Sequence, residues 1–511
     1  MDDITERILT LFREISSIPR CSGNEEKIAM WLKEWALSHG FSVKFDSVNN
    51  IVIGVPGSKK YKNLPAIVIQ GHMDMVGEKT RESSHDFSTD PIVPVIDGDW
   101  MVAQGTTLGA DNGIAIAIAL ALAEDKSLEH PPLELLFTVD EETGLTGANA
   151  LMPDFVTGRI LLNVDSEDEG VFTVGCAGGL NTTIRLPLVY SPIPEDSMTF
   201  ELVVDGLAGG HSGVDIHENR ANANKMLAGA LQVLADVMGI MIIDIKGGSA
   251  HNAIPRHAEA IVVVPAENEE KAVSLVSDLE GRMITEYSEI EDSVTITMEE
   301  IETTTDKDAI DSGSTIKVIG VLQSLPHGVA SMSPSTPGLV ETSNNLATVG
   351  TEDGELVIVS SQRSSFDKGL ADITARVVSV SEEYGATYSH GSGYPPWQPD
   401  MASPLLQQCS DIYSQVFGEY AKIEVIHAGL ECAVIGSKFD DMDMISFGPT
   451  IKNPHSPDER LYIPSVRKIW DFMVALLASY DNKRMFDRPG GKDQNNKDNG
   501  NKKKGRKGRK A

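Results

Sequence analysis

The sequence predicts an α/β protein, with a mixed, largely parallel sheet flanked by helices and interrupted by an inserted α+β lid domain. Three observations carry this prediction. Strand-like apolar runs alternate with helical ones up to residue 186, the character changes between 187 and 398, and the first pattern returns between 399 and 480. Residues 1–186 and 399–480 therefore read as two parts of one domain, residues 187–398 as the insertion, and 481–511 as a separate tail. A chain of 511 residues is too long for one compact core, which agrees with this division.

Taken in order, Ile4, Ile8, Leu11, Phe12 and Ile15 recur at helical spacing. A second helix presents Ile28, Trp31, Leu32 and Trp35 on one face, after a capping-box pattern from Ser22 to Glu25. The strand-like runs "NIVIGV", "AIVIQGH", "LELLFTV" and "RILLNVD" follow, with an Ala-rich helix after Asp111. In the insertion, "MTFELVVDGL" and "EAIVVVP" read as strands, and "RANANKMLAGALQVLADVM" and "EEKAVSLVSDLEGRM" as helices. A similar alternation recurs in "STIKVIGVLQSL", "GELVIVSSQRSS", "KGLADITARVVSV" and "GATYSHG", which suggests two related halves. The α/β pattern returns at "LLQQCSDIYSQVF", "AKIEVIH", "MDMISFGP" and the Pro-led helix "PSVRKIWDFMVALLASY".

A net charge of -32 makes the folded body a poor partner for nucleic acid or an anionic membrane. The tail from Asp481 is the exception: twelve Lys and Arg against four Asp give it +8. Its near lack of apolar residues leaves it nothing to bury, so disorder is expected. Cys21, Cys176, Cys409 and Cys432 lie far apart without CxxC pairing and read as free thiols of a reducing compartment. The acidic start "MDDITERILTLF" lacks a signal-peptide pattern, and the run "IAIAIALALA" is about half the ~20 residues of a membrane span. A cytoplasmic protein is expected.

Residues able to bind metal arrive where apolar runs end. "IVIQGHMDMV" offers His72 and Asp74, "TTLGADNGIAIA" offers Asp111, "LLFTVDEETG" offers Glu141 and Glu142, and "ILLNVDSEDEG" offers Asp165; "FGPTIKNPHSPDER" later offers His455. Ligands collect outside the carboxyl ends of strands in open α/β sheets, and buried charge there needs a partner or a metal. Singly, each has a plainer reading: Asp111 an N-cap, Asp165 a turn residue, the histidines structural. Repetition of one placement at five sites favours a site for two divalent ions, zinc, cobalt or manganese, over a thiolate-rich structural site. Asp74, two residues beyond His72, is spaced to fix the imidazole tautomer. No G-x-S-x-G elbow, P-loop or HExxH motif is present.

The strings "GHMDMV", "GADNGIA", "DEETGLTGA", "NVDSEDEG" and "HSPDER" together resemble the Xaa-His dipeptidases (aminoacyl-histidine dipeptidases, peptidase D). These belong to the aminoacylase/carnosinase superfamily of metallopeptidases. The resemblance spans about residues 1–480 and implies a zinc-exopeptidase-like catalytic domain. It implies Asp111 as a bridging ligand, His72 and Asp165 as ligands of one metal, and Glu142 and His455 as ligands of the other. Glu141 resembles the general base and Asp74 the aspartate supporting His72, and the Asp111–Asn112 peptide bond is expected to be cis. In the insertion, "GLAGGHSG" offers His211 for the oxyanion, while "HNAIPR" and "SSQRSS" offer Asn252 and Arg363 for the substrate backbone and carboxylate. "HAGLEC" offers Glu431 for the free amino group. Surface or turn roles remain open for these four. The implied activity is hydrolysis of dipeptides with free termini, Xaa-His and β-Ala-His among them. The competing expectations are a related two-metal deacylase or aminopeptidase, and a non-catalytic binding protein on the same fold. A homodimer formed through the lid is compatible with the sequence, as is a lid that imitates one through its own halves.

Overall fold

The computed structural model describes residues 2–302, 308–334 and 338–480, and the basic tail from 481 lies outside them. An eight-stranded sheet runs, in spatial order, Ser42–Phe45, Ile51–Val55, Leu133–Thr138, Ile67–His72, Ile160–Asn163, Asp443–Ser446, Val171–Cys176 and Lys422–Ile426. The four strands from Leu133–Thr138 to Asp443–Ser446 pair parallel, while Ile51–Val55 and Val171–Cys176 join them antiparallel. This is the mixed, largely parallel sheet that the sequence predicts. Every residue of Ile67–His72 and Ile160–Asn163 is buried, as strands covered on both faces require. Helix Ala110–Glu124 is apolar all round and buried as far as Ala123, packed between the sheet and helix Asp3–Ser16. Helices Thr146–Ala150 and Glu431–Lys438 cover the other face.

Helix Asp3–Ser16 begins at Asp2, whose side chain accepts the N–H groups of Ile4 and Thr5. The capping box expected at Ser22 and Glu25 does not form: the next helix is Glu26–Ser38, and it has no side-chain cap. Ser22 Oγ instead donates to Asp74 Oδ2 (2.8 Å), and Glu25 Oε1 accepts the N–H of Asp140 (3.0 Å). A charge-assisted bond to a buried carboxylate outweighs a cap at a helix end that water can satisfy.

From Gly178 the chain enters an eleven-stranded sheet whose strand pairs, among the described residues, are all antiparallel. It divides into two βαββαβ halves. In one, strands Ser197–Asp205, Met241–Gly247, Ala258–Pro265 and Thr295–Ile301 lie in the order fourth, first, third, second, with helices Ala223–Val237 and Glu269–Glu286. In the other, Gly178–Pro187, Val340–Glu352, Glu355–Ser364 and Thr387–His390 lie second, third, first, fourth, with helices Ser312–Ser324 and Asp367–Glu383. The two second strands meet at Lys246↔Gly350 and Gly247↔Val349, so one sheet is continuous across both halves. One half is thus inserted between the first strand and first helix of the other.

A small four-stranded sheet, Ile451–Lys452, Arg460–Tyr462, Trp100–Val102 and Val95–Asp97, holds the loop between 452 and 460 against the main body. Among the described residues no helix is long and apolar enough to cross a membrane. All four cysteines are free.

Candidate metal centre

His72 lies beside Thr138, and Gln70 beside Asn163, in the parallel registers of three adjacent strands. His72, the turn after Thr138 and the turn after Asn163 therefore leave the sheet at one edge. His72 Nε2 is 3.1 Å from Asp111 Oδ1 and 3.3 Å from Asp165 Oδ1. His455 Nε2 is 3.2 Å from Asp111 Oδ2 and 3.0 Å from Glu142 Oε2. Asp111 thus turns one oxygen to each histidine. His72, Asp111 and Asp165 form one group able to hold a metal ion, and Asp111, Glu142 and His455 form another. Asp165 Oδ1 is buried without a hydrogen-bond donor, and a cation would satisfy it.

The loops carrying these candidate ligands are tied together by side chains that act on backbone. Gly109 has φ 68°, and a Cβ there would lie 2.6 Å from the Met75 sulfur and 2.7 Å from Arg20 Nη2, so only glycine fits. The Asp111–Asn112 bond is cis. Asn112 Oδ1 accepts the N–H of His72 (3.2 Å), and Asn112 Nδ2 donates to Val164 O (2.8 Å). Buried Arg20 donates to the carbonyls of Met73, Asp74 and Gly109. Buried Glu459 accepts the N–H groups of Leu108, Gly109 and Asp111. Arg20, Asn112 and Glu459 were not among the candidates read from the sequence. Each works through backbone contacts distant in the chain, for which no local pattern exists.

Asp74 Oδ1 faces His72 Nδ1 at 3.2 Å and accepts the N–H of Glu141 at 3.1 Å, while Oδ2 accepts that of Glu142 at 3.2 Å. One carboxylate therefore orients both the imidazole and the acidic turn. Burial pushes against its ionisation, but His72 and these N–H donors hold it below the usual range. Asp140 shapes the same turn: its φ is 51°, and its carboxylate accepts the hydroxyls of Thr143 and Thr146. Burial, with Glu142, Asp165 and Glu431 nearby, raises the Glu141 carboxyl well above the usual range against the pull of His72. Burial and then Asp111 push Glu142 up to about 7. Glu167 is a further carboxyl at this cluster that the sequence reading missed, pushed up to about 8 by burial and then Asp111.

His211 and Asn252 come together on a two-stranded ribbon, where Gly210 pairs with Ile254 and the N–H of Ser212 donates to Asn252 O (2.8 Å). The Asn252 side chain is exposed. His211 Nδ1 accepts the N–H groups of Gly213 (3.2 Å) and Val214 (2.9 Å), so its proton sits on Nε2. Burial lowers its pKa to about 4, and the charges of Arg363 and His455 push the same way. Arg363 is buried on strand Glu355–Ser364, and its Nη1 donates to Tyr394 Oη (2.8 Å). Glu431 is fully buried; Oε2 accepts Gln70 Nε2 (2.6 Å) and Thr138 Oγ1 (2.7 Å), and Oε1 has no donor.

A parallel sheet whose strand ends gather two histidines and several carboxylates defines a hydrolase of the metal-dependent kind. Residues 68–479 match the model of peptidase family M20/M25/M40, and the chain belongs to that family. It is 40% identical over 467 residues to the cytosol non-specific dipeptidase of Escherichia coli K12, spanning 91% of this chain and 96% of that one. The aminoacylhistidine dipeptidase of Vibrio alginolyticus has a similar structure, with TM-score 0.79 and 40% identity over 93% of this chain and 98% of that one. An aminopeptidase of Bacillus cereus shares the fold at TM-score 0.53 and 15% identity, over 93% and 98%. The dipeptidase resemblance read from the sequence holds, and the chain is an enzyme that hydrolyses peptide bonds.

Proposed function

We propose that this enzyme hydrolyses dipeptides with free amino and carboxyl ends, Xaa-His and β-Ala-His among them, using two divalent metal ions. The observation that carries the reading is the division of Asp111, one oxygen toward His72 and the other toward His455. His72 and Asp165 would hold one ion, Glu142 and His455 the other, and Asp111 both. Nitrogen and carboxylate donors suit zinc, with cobalt or manganese as substitutes. When bound, the ions polarise the scissile carbonyl and make water acidic enough to deprotonate near neutral pH.

The chain's own residues supply the rest. Glu141 takes a proton from the attacking water and passes it to the leaving amine. Asp74 holds His72 and the Glu141–Glu142 backbone in place. His211 donates from Nε2 to the carbonyl oxygen as negative charge develops there. Arg363 takes the C-terminal carboxylate, Asn252 contributes a polar contact to the substrate backbone, and Glu431 takes the free amino group through its unpartnered oxygen. Free thiols and the cytosolic designation of the E. coli relative support a cytoplasmic setting.

The test is turnover of Ala-His, β-Ala-His, Gly-Gly, tripeptides and N-acetyl amino acids by chelator-treated enzyme given back one defined metal. Dipeptides should be cleaved fastest, and activity should depend on the added metal. A preference for N-acetyl amino acids would overturn the reading in favour of a deacylase.

A further inference from the structure

We propose that Tyr394 is the positioning residue that fixes Arg363, and that its ring is the spacer between the two ends of the substrate site. The inference rests on the reading of Arg363 as the carboxylate-binding residue. Among the described residues no carboxylate pairs with Arg363; its side chain has one hydrogen-bond partner, Tyr394 Oη, and Nε is buried without an acceptor. A long side chain held by a single bond takes its position from that bond. The hydrogen of the phenol has no acceptor among the described residues, so it too is available beside the guanidinium.

Tyr394 is itself clamped. Its backbone exchanges both N–H···O bonds with Gly179 (3.0 Å each), and Gly179 stands opposite Arg363 in the neighbouring strand. A Cβ on Gly179 would lie 2.6 Å from Tyr394 Cζ and Oη, and a Cβ on Gly429 would lie 2.7 Å from Cε2 and Cζ. Neither glycine has a positive φ, so the backbone would accept alanine at both. The ring alone excludes a side chain. It fills a slot between Gly179, on the strand paired with that of Arg363, and Gly429, two residues before Glu431. The phenol thus stands between the group assigned to the substrate's carboxyl end and the segment that leads into Glu431. A dipeptide spans at most about 7 Å along its backbone, so a displaced guanidinium loses contact with its carboxylate.

The experiment compares a dipeptide with its C-terminal amide in wild type, Arg363→Lys, Tyr394→Phe and Gly429→Ala. Tyr394→Phe keeps the ring and slot but removes the acceptor. Its KM for the dipeptide should rise roughly tenfold, the worth of one charged hydrogen bond, with kcat within about twofold and cleavage of the amide unchanged. Gly429→Ala, which moves the ring, should raise the same KM. A wild type that does not distinguish the dipeptide from its amide would remove Arg363 from carboxylate binding. A wild type that does distinguish them, with the preference lost in Arg363→Lys but kept in Tyr394→Phe, would overturn the role of Tyr394 alone.

Discussion

Glu459 reaches back across 348 positions of the chain to accept the backbone N–H of Asp111 at 3.2 Å. Its other oxygen accepts Leu108 N–H (2.7 Å) and Gly109 N–H (2.8 Å), so one carboxylate joins the His455 loop to the Asp111 loop. Glu459→Ala would leave three buried donors unsatisfied. Each such loss costs about 1–3 kcal/mol, partly relieved where the loop relaxes or water enters. Stability should fall by on the order of 3 kcal/mol in urea unfolding, and metal affinity by roughly 10- to 100-fold in chelator competition. Unchanged affinity would show that Asp111 keeps its place without Glu459.

Glu141 and Glu142 are neighbours with separable tasks. Glu142 lies 3.0 Å from His455 Nε2, whereas Glu141, whose carboxylate lies within 4.8 Å of His72 and Glu142 ligand atoms, makes no hydrogen bond to a histidine among the described residues. Glu141→Gln should therefore retain both metals by elemental analysis yet lose kcat by roughly 10²- to 10⁴-fold, the scale of general acid–base catalysis. Glu142→Gln should lose metal first. Near-normal turnover of Glu141→Gln would remove it from proton transfer.

The candidate ligands His72, Glu142 and Asp165 are legible because each follows an apolar run that ends in charge, as "AIVIQGH" and "LLFTVDEE" do. Where long-range contacts decide, the sequence is silent or misleading. Ser22 and Glu25 have the local pattern of a capping box, but Asp74 and Asp140 claim their side chains. Arg20 and Glu459 look like surface charges because nothing nearby shows that they will be buried against backbone. Strand Val340–Glu352 went unread because a run of its buried positions, Thr342 to Asn345, is polar: Asn344 Oδ1 accepts Ser360 Oγ and Gln362 Nε2 inside the sheet. A buried polar network has no hydrophobic period to detect.

The metal-free protein should lose stability as pH rises above about 6.5. Burial and then Asp111 push Glu142 up to about 7 and Glu167 up to about 8, above an unfolded value of 4.5. The folded chain thus keeps protons the unfolded chain has released; this contribution is full below about pH 4.5 and lost as pH passes through 7 to 8. His455 works in the same direction: Asp111 and Glu142 overcome its burial and raise it to about 11, so its contribution is full below 6.5 and declines above. Metal reverses the trend because its ligands must be deprotonated. Melting temperature should fall between about pH 6.5 and pH 8 in chelator, above the range in which the buried neutral His211, His327 and His427 oppose the fall, and zinc at 100 times its Kd should restore about 2.7 kcal/mol. Parallel pH profiles with and without zinc would contradict this.

His211 is prepared to give a hydrogen bond rather than a proton. Two backbone N–H groups occupy Nδ1, which leaves the hydrogen on Nε2. Burial, reinforced by Arg363, holds its pKa at about 4, so the ring is neutral through the physiological range. In the role proposed for it, a neutral donor to a developing oxyanion stabilises the transition state more than the ground state. His211→Ala should therefore lower kcat by roughly 10²- to 10³-fold while KM moves little, as for other lost oxyanion donors. The pH profile of wild-type kcat/KM should show no step near 6.5 that disappears in His211→Ala. Such a step would mean that His211 titrates as an acid or base, and an equal rise in KM would place it in ground-state binding instead.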